Sequence, residues 1–310
     1  MTTSTDLDLV PGTVIRGRWL GGSYRIHKLL GQGSNGVVYL VQQENSGRQY
    51  ALKLGFDTVD LQSEINVLKT LHERGIRRSA RDSASFLIEV DDAELAGRQV
   101  PFYIMRYVKG EPLSLFIFRR GADWLDLTGL NVLKQLARLH AAGFVFGDLK
   151  PDNIMAGGYG DVELIDYGGV SQMGRSVKQF TEWYDRGFWN AGSRTADAAY
   201  DWFSFSVVCI HLLCGDELKR AARSLPQMRT NQDLLKIVDN QPRLKPYAGW
   251  LKRGLTGHFE DSREACQYWE RTVCRRPAAR RSRKPTPGWL TGAFVVSVGL
   301  LGSALYLFFR

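Results

Sequence analysis

The sequence predicts an α+β fold with one transmembrane helix near its C-terminal end. Alternating or β-branched runs at 37–41 and 50–54 predict strands, and apolar residues at helical spacing predict a helix over 63–71. A second, long apolar helix is predicted to begin near Tyr200, and residues 289–309 contain no charge. With 310 residues, the chain can bury a sizeable core.

A glycine-rich loop is predicted between two strands near the N-terminus. Gly31, Gly33 and Gly36 are followed by the β-branched and aromatic run at 37–41. A dinucleotide-binding site would instead open a helix after the third glycine. The pattern therefore indicates a strand–loop–strand hairpin of the kind that covers nucleotide phosphates.

One lysine is predicted to point inward from the strand at 50–54. An inward Lys53 is costly unless a partner neutralises its charge. The candidate partner is Glu64, which lies in the predicted helix over 63–71.

The segment 144–154 places three polar side chains at fixed offsets in apolar surroundings. Asp148, Lys150 and Asn153 have the arrangement that phosphoryl transfer from ATP to a hydroxyl needs, namely a proton acceptor, a cation and a metal ligand. A later strand-like run ends in Asp166, followed by Tyr167 and Gly168, which is typical of a second metal-binding position.

These motifs, in this order, resemble those of bacterial eukaryotic-like (Hanks-type) serine/threonine protein kinases that carry a C-terminal membrane anchor. The resemblance covers roughly residues 24–270. It implies a two-lobed protein-kinase-like fold, with a β-rich N-lobe at 24–107 and a helical C-lobe at 108–270, after an N-terminal extension at 1–23. It also implies ATP and Mg²⁺ as cofactors, with Mn²⁺ as a substitute, protein substrates bearing Ser or Thr, and autophosphorylation.

The resemblance assigns a role to each matched position. Asp148 is expected to accept the hydroxyl proton and Lys150 to neutralise the transferred phosphate, while Lys53, oriented by Glu64, holds the other phosphates. Asn153 and Asp166 are expected to bind the metal. The residues expected to contact ATP are Gly31, Gly33, Gly36, Val38, Ala51, Lys53, Met105, Arg106, Tyr107 and Val108.

Two departures from the family pattern precede Asp148. Phe146 and Gly147 stand where such kinases have histidine and arginine. Phe146 is expected to fill the volume of the histidine. Gly147 removes the arginine that clamps a phosphate on the activation segment, so we expect activity that does not depend strictly on phosphorylation there. Candidate autophosphorylation sites are Ser171, Ser176, Thr181, Ser193 and Thr195.

A third departure lies at the end of the activation segment. The Ala-Pro-Glu anchor is missing, and Phe188 and Trp189 stand near its place. The family glutamate pairs with a distant arginine. Here, aromatic packing by Phe188 and Trp189 is expected to replace that pair.

Two alternatives remain open from the sequence. A membrane-associated pseudokinase or scaffold is disfavoured because the four polar residues needed for transfer are present. A small-molecule phosphotransferase of the aminoglycoside-kinase type is suggested by Gly147 before Asp148. Lys150, together with an aspartate at the start of the apolar helix, Asp201, favours a protein kinase.

The C-terminal region predicts a membrane location. The 21 residues at 289–309 would span about 31 Å as a helix, enough for a bilayer core of about 30 Å. Eight of the chain's basic residues and no acidic residue lie from Arg271 onward, leaving a net charge of only +1 for residues 1–270. The positive-inside rule then predicts a single-pass cell-membrane protein with a cytoplasmic kinase domain.

The basic, proline-containing stretch at 271–288 is expected to act as a juxtamembrane tether. Its charges at 271–284 suit an anionic lipid surface, and they could also bind DNA or another nucleic acid. Glycines at 292, 299 and 302 could permit a homodimer through close helix approach. The four cysteines form no CxxC motif and are expected to be reduced core thiols.

Overall fold

The computed structural model describes residues 9–33, 36–74, 86–178 and 180–275, and five single positions beyond them (297, 304 and 306–308). The chain up to Cys274 forms one compact unit, and the segment from Arg275 onward forms a second. The predicted tether beyond residue 275 and the predicted membrane helix at 289–309, apart from those five positions, lie outside the described residues.

The N-lobe is built on a six-stranded antiparallel sheet with the strand order β1-β2-β3-β4-β6-β5. Its first strand lies inside the segment 1–23 that the sequence suggested as an extension, and it pairs with the second strand. The strands are β1 (Val14–Arg16), β2 (Ser23–Gly33), β3 (Gly36–Gln43), β4 (Gln49–Gly55), β5 (Leu87–Leu95) and β6 (Arg98–Arg106).

Alternation along β4 divides its side chains between two faces. Leu52 and Leu54 belong to the buried core of the sheet, together with aromatic and branched residues from the other strands. Because successive strand residues point to opposite faces, Ala51 and Lys53 lie on the other side, toward the helix that follows. The predicted inward lysine is confirmed, since Lys53 is only 4% exposed.

Helix α1 (Thr58–Glu73) covers that second face of the sheet. Asp57 caps its N-terminus, accepting hydrogen bonds from the backbone N–H groups of the next turn at 2.7 and 3.1 Å. Leu61, Ile65 and Leu68 are buried at helical spacing, and Glu64 lies on the same side of the helix. Because of the helical period, Glu64 therefore faces the sheet.

The C-lobe is mainly helical. Its helices are α2 (Leu113–Arg120), α3 (Leu125–Ala141), α4 (Ala198–Ala222), α5 (Asn231–Asn240), α6 (Ala248–Thr256) and α7 (Ser262–Trp269). Two small antiparallel sheets carry the functional loops, with strands β7 (Glu111–Pro112), β8 (Phe144–Val145), β9 (Ile154–Ala156), β10 (Val162–Leu164) and β11 (Ser171–Gln172).

Helix α4 is the centre of the C-lobe. Asp197 caps it by accepting a hydrogen bond from the Tyr200 N–H at 2.8 Å. Among the described residues, α4 is the helix that is long and apolar enough to cross a membrane, but 72% of its apolar window is buried inside the protein. That burial is the behaviour of a core helix, so α4 by itself is weak evidence of a membrane location.

Candidate active site

Lys53 joins the two lobes through a chain of charges. Its Nζ lies 2.7 Å from Glu64 Oε2 and 3.0 Å from Asp166 Oδ1. Burial disfavours the charged amine, but the two carboxylates outweigh it, so the pKa of Lys53 lies above its ordinary value. Burial likewise disfavours the Asp166 carboxylate, but Lys53 outweighs this effect and lowers the pKa of Asp166. Both groups are therefore charged at neutral pH.

The second oxygen of Glu64 reaches the segment that follows Asp166. Glu64 Oε1 accepts a hydrogen bond from the Tyr167 N–H at 3.1 Å. One carboxylate thus ties together β4, α1 and the start of the activation segment, here defined as residues 166–189. The pairing of Lys53 with Glu64 that the sequence suggested is present, and the structure adds Asp166 to it.

The catalytic loop gathers the polar residues predicted at 144–154. Lys150 Nζ lies 2.7 Å from Asp148 Oδ2, and Asn153 Nδ2 donates to the Asp148 carbonyl oxygen at 2.9 Å. Asp148 and Asn153 are buried, while Lys150 is half-buried. The loop therefore directs one carboxylate, one ammonium and one amide into the same space.

A hydroxyl group already occupies one side of the Asp148 carboxylate. Thr181 Oγ1 donates to Asp148 Oδ1 at 2.8 Å and accepts from Lys150 Nζ at 3.1 Å. The sequence had suggested Thr181 only as an autophosphorylation site. Its 33-residue separation from Asp148 left no local pattern that could reveal this contact.

Asp201, at the start of α4, orders the turn before Asp148. It is fully buried and accepts hydrogen bonds from the backbone N–H groups of Phe146 (2.7 Å) and Gly147 (2.9 Å). His140 Nε2 lies 3.0 Å from the same carboxylate. The sequence had indicated a buried aspartate here, but it had not indicated His140.

The two unusual residues before Asp148 fit closely packed positions. Phe146 is 1% exposed and meets the Tyr167 ring edge-on, with ring centroids 5.7 Å apart. Gly147 has φ +82°, and a Cβ atom there would lie 2.7 Å from the Gly169 carbonyl oxygen and 3.3 Å from a methyl carbon of Val177. The activation segment therefore fills the space that a side chain at position 147 would need.

Backbone pairing and apolar packing hold the activation segment. Gly174 N–H donates to the Ala196 carbonyl at 2.9 Å, and Val177 N–H donates to the Arg194 carbonyl at 2.9 Å. Val177 is 7% exposed and belongs to a small apolar cluster with Tyr200 and neighbouring residues. Backbone hydrogen bonds and apolar side chains of the described residues thus hold the segment in place.

The two strands that flank the glycine-rich segment pair with each other as predicted, while residues 34 and 35 between them lie outside the described residues. Gly31 pairs with Val38, and Gly33 pairs with Gly36. A Cβ atom on Gly36 (φ +148°) would lie 2.2 Å from the Leu54 carbonyl oxygen, so this position requires glycine, whereas Gly31 and Gly33 face open space.

The predicted adenine-binding residues lie where β4 and β6 meet the C-lobe. Met105 is opposite Ala51 in the sheet, and Tyr107 and Val108 follow β6 as half-buried residues. The Arg106 side chain forms an ion pair with Glu163 on β10. Its charge is therefore directed at the C-lobe, an arrangement that the sequence did not indicate.

Two residues have the chemistry to hold a metal ion. The amide nitrogen of Asn153 is engaged by Asp148, which leaves the amide oxygen as the metal-binding atom. The Asp166 side chain is 42% exposed. No group of three His, Cys, Asp or Glu side chains in the described ranges is close enough to form a metal site. Two oxygen donors suit Mg²⁺, which keeps waters and takes its other ligands from substrate phosphates.

Comparison with known proteins agrees with this geometry. The protein kinase domain family matches residues 24–285. The chain is 37% identical to the serine/threonine-protein kinase YabT of Bacillus subtilis, over 84% of this chain and 75% of that protein. It is 28% identical to the serine/threonine-protein kinase F of Synechocystis, over 72% of this chain and 47% of that protein.

A solved structure has the same fold. The kinase domain of Mycobacterium tuberculosis PknI superposes with a TM-score of 0.56, covering 86% of this chain and 99% of that domain, at 22% identity. The two-lobed fold is thereby confirmed. With the family match over most of its length, the chain belongs to the protein kinase family and is a serine/threonine protein kinase of the bacterial Hanks type.

Proposed function

We propose that Asp148 accepts the proton of the substrate Ser or Thr hydroxyl during transfer. The observation that carries this proposal is the hydrogen bond from the Thr181 hydroxyl to Asp148 Oδ1, because it shows that this carboxylate accepts an aliphatic hydroxyl in place. Lys150, which contacts both Asp148 and Thr181, places a positive charge where the transferred phosphate passes.

The other polar residues position the nucleotide. Lys53 binds the non-transferred phosphates, and Glu64 holds its side chain in the required direction. Asn153 and Asp166 would hold Mg²⁺, which neutralises charge on the phosphates when bound. The Gly31–Gly36 hairpin encloses the phosphates, and the residues from Met105 to Val108 line the base.

Transfer of label from ATP by the full-length protein tests these roles. In the presence of magnesium, Asp148→Asn should lower incorporation into protein Ser and Thr by about 10²–10⁴-fold, while leaving ATP binding intact. Label that persisted in Asp148→Asn would contradict the assigned role. Transfer to a small acceptor, with none to protein, would support the aminoglycoside-kinase alternative, and ATP binding without any transfer would support a scaffold.

We further propose that the activation segment needs no phosphate. Two observations support this proposal. Gly147 offers no cation to a phosphate, and Val177 of the activation segment lies next to Gly147 and belongs to the apolar cluster with Tyr200. Lys178 adds a link to α1, because its Nζ donates to Ser63 Oγ at 2.6 Å.

The structure sharpens the choice of variants for this second proposal. Ser171 is 1% exposed and hydrogen-bonded, and Thr181 contacts Asp148, so removing either would disturb the fold or the site. Ser176, Ser193 and Thr195 are exposed. A triple Ala variant at these three positions should phosphorylate an added substrate within about twofold of wild type; a loss of tenfold or more would show that a phosphate there is needed.

We also propose that the kinase domain works at the cytoplasmic face of the cell membrane. The support is the uncharged stretch at 289–309 and the basic stretch at 271–288 before it. Activity should be measured for the full-length chain and for a variant lacking 271–288, with anionic vesicles or with duplex DNA. Stimulation by vesicles alone would assign the basic stretch to lipid, stimulation by DNA alone would assign it to nucleic acid, and no response would leave it as a topology signal.

A further inference from the structure

The end of the activation segment is attached to the turn at 226–229, which follows α4. The Arg229 guanidinium lies over the Phe188 ring, 3.5 Å from its centroid. The same two segments are also joined by Asn190, whose Nδ2 donates to the carbonyl oxygens of Pro226 (3.0 Å) and Arg229 (2.7 Å). We call these four residues, Phe188, Asn190, Pro226 and Arg229, the clasp.

The position of Arg229 is an unusual one for a positively charged side chain. The residue is only 9% exposed, and among the described residues no carboxylate lies within ion-pair distance of it. Its Nε is buried and has no hydrogen-bond partner. A buried cation without an anion is costly, and the aromatic face of Phe188 is the group that offsets this cost.

The clasp is connected to the acceptor side of the active site. The fully buried Trp189, next to Phe188, donates from Nε1 to the Trp183 carbonyl oxygen at 2.8 Å. Trp183 is two residues from Thr181, whose hydroxyl contacts the catalytic aspartate. The path from Arg229 to Asp148 therefore runs through packed side chains, short stretches of backbone and two hydrogen bonds, and it includes none of the residues assigned to the nucleotide.

We infer that Arg229 is a positioning residue for the protein substrate. Its stacking on Phe188 fixes the segment 181–190 and so presents the acceptor hydroxyl to Asp148. The sequence suggested aromatic packing at Phe188 and Trp189, but not a cation beneath the ring. This inference rests on the proposed role of Asp148 as the proton acceptor.

The test measures steady-state kinetics of the full-length protein with dephosphorylated casein as acceptor. Arg229→Gln and Phe188→Leu should each raise the KM for casein roughly tenfold, with the KM for ATP unchanged, because a desolvated cation–π contact is lost on the acceptor side only. Arg223→Gln, an exposed arginine on the neighbouring stretch, serves as the matched control and should change neither constant.

A rescue experiment separates positioning from general loss of structure. Phe188→Glu places a carboxylate where the ring was, so it should pair with Arg229 and retain a KM for casein within about threefold of wild type. Phe188→Glu combined with Arg229→Gln should lose this benefit and resemble Arg229→Gln alone.

The outcomes are distinguishable. Equal KM values for casein in wild type and Arg229→Gln, or a parallel rise in the KM for ATP, would overturn the inference. So would a Phe188→Glu protein that behaves the same with and without Arg229. If the Asp148→Asn variant labelled casein as fast as the wild-type protein, the proposed role of Asp148 would instead be overturned.

Discussion

Introducing the arginine that related kinases have at position 147 should destabilise the folded protein. Gly147 adopts φ +82°, which costs a residue with a Cβ atom about 1–2 kcal/mol. That Cβ would also lie 2.7 Å from the Gly169 carbonyl oxygen, and such overpacking typically costs about 1–3 kcal/mol more. We therefore expect Gly147→Ala and Gly147→Arg to lose about 2–5 kcal/mol of unfolding free energy, a large share of the stability of an ordinary domain.

Urea unfolding with a matched control separates the two contributions. Gly143 has the same φ of +82°, but a Cβ atom there meets nothing within 4 Å. Gly143→Ala should therefore show the conformational cost alone, about 1–2 kcal/mol. If Gly147→Ala were no less stable than Gly143→Ala, or if Gly147→Arg gained activity on phosphorylation of the activation segment, the packing argument would be refuted.

Two further predictions concern the site, and a third concerns the burial of two cysteines. Burial opposes the charge on Lys53, but neighbouring carboxylates raise its pKa, and Lys53 in turn lowers the pKa of Asp166 against the effect of burial. The stability lost in Lys53→Met should thus be constant over about pH 6–9 and should shrink only below the ordinary aspartate pKa of 3.8 or above the ordinary lysine pKa of 10.5. Thr181→Ala should lower kcat about tenfold or more, whereas Thr181→Ser should keep most of it, since only the hydroxyl contacts Asp148; equal losses in steady-state assays would contradict this. Mass spectrometry after brief alkylation should find the exposed Cys274 modified and the buried Cys209 protected until urea unfolds the protein, and early labelling of Cys209 would count against the packing of α4.

The contacts that could be predicted from the sequence were those in which a residue needed a partner nearby to be buried at all. An inward Lys53 required an anion, and the helical period made Glu64 the candidate, as the structure confirms. Thr181 on Asp148 and Arg229 on Phe188 were not foreseeable, because they join segments 33 and 41 residues apart through folded surfaces. A threonine and an arginine are also common surface residues, so their types gave no signal.

The first strand shows the same limit. A run of three residues, Val14–Arg16, is too short to display a period of two, and it becomes a strand only because β2 offers a partner. The turn after it is then held by the buried Asp91, which accepts backbone hydrogen bonds from Trp19 and Leu20 at 2.9 and 2.8 Å. Asp91 lies some seventy residues along the chain from this turn, so the sequence near the turn gives no sign of the contact.

Helix α4 has a consequence for the synthesis of this chain. Helices α5 and α6, which pack against it, are translated after it, so a nascent chain that has just left the ribosome exposes the apolar part of this 25-residue helix. Such a segment is a potential client for the membrane-insertion machinery. Asp201 in its first turn opposes that fate, because a carboxylate enters lipid unfavourably. The aspartate that orders the catalytic loop of the finished enzyme thus also helps the emerging helix to remain in water until the C-lobe closes around it.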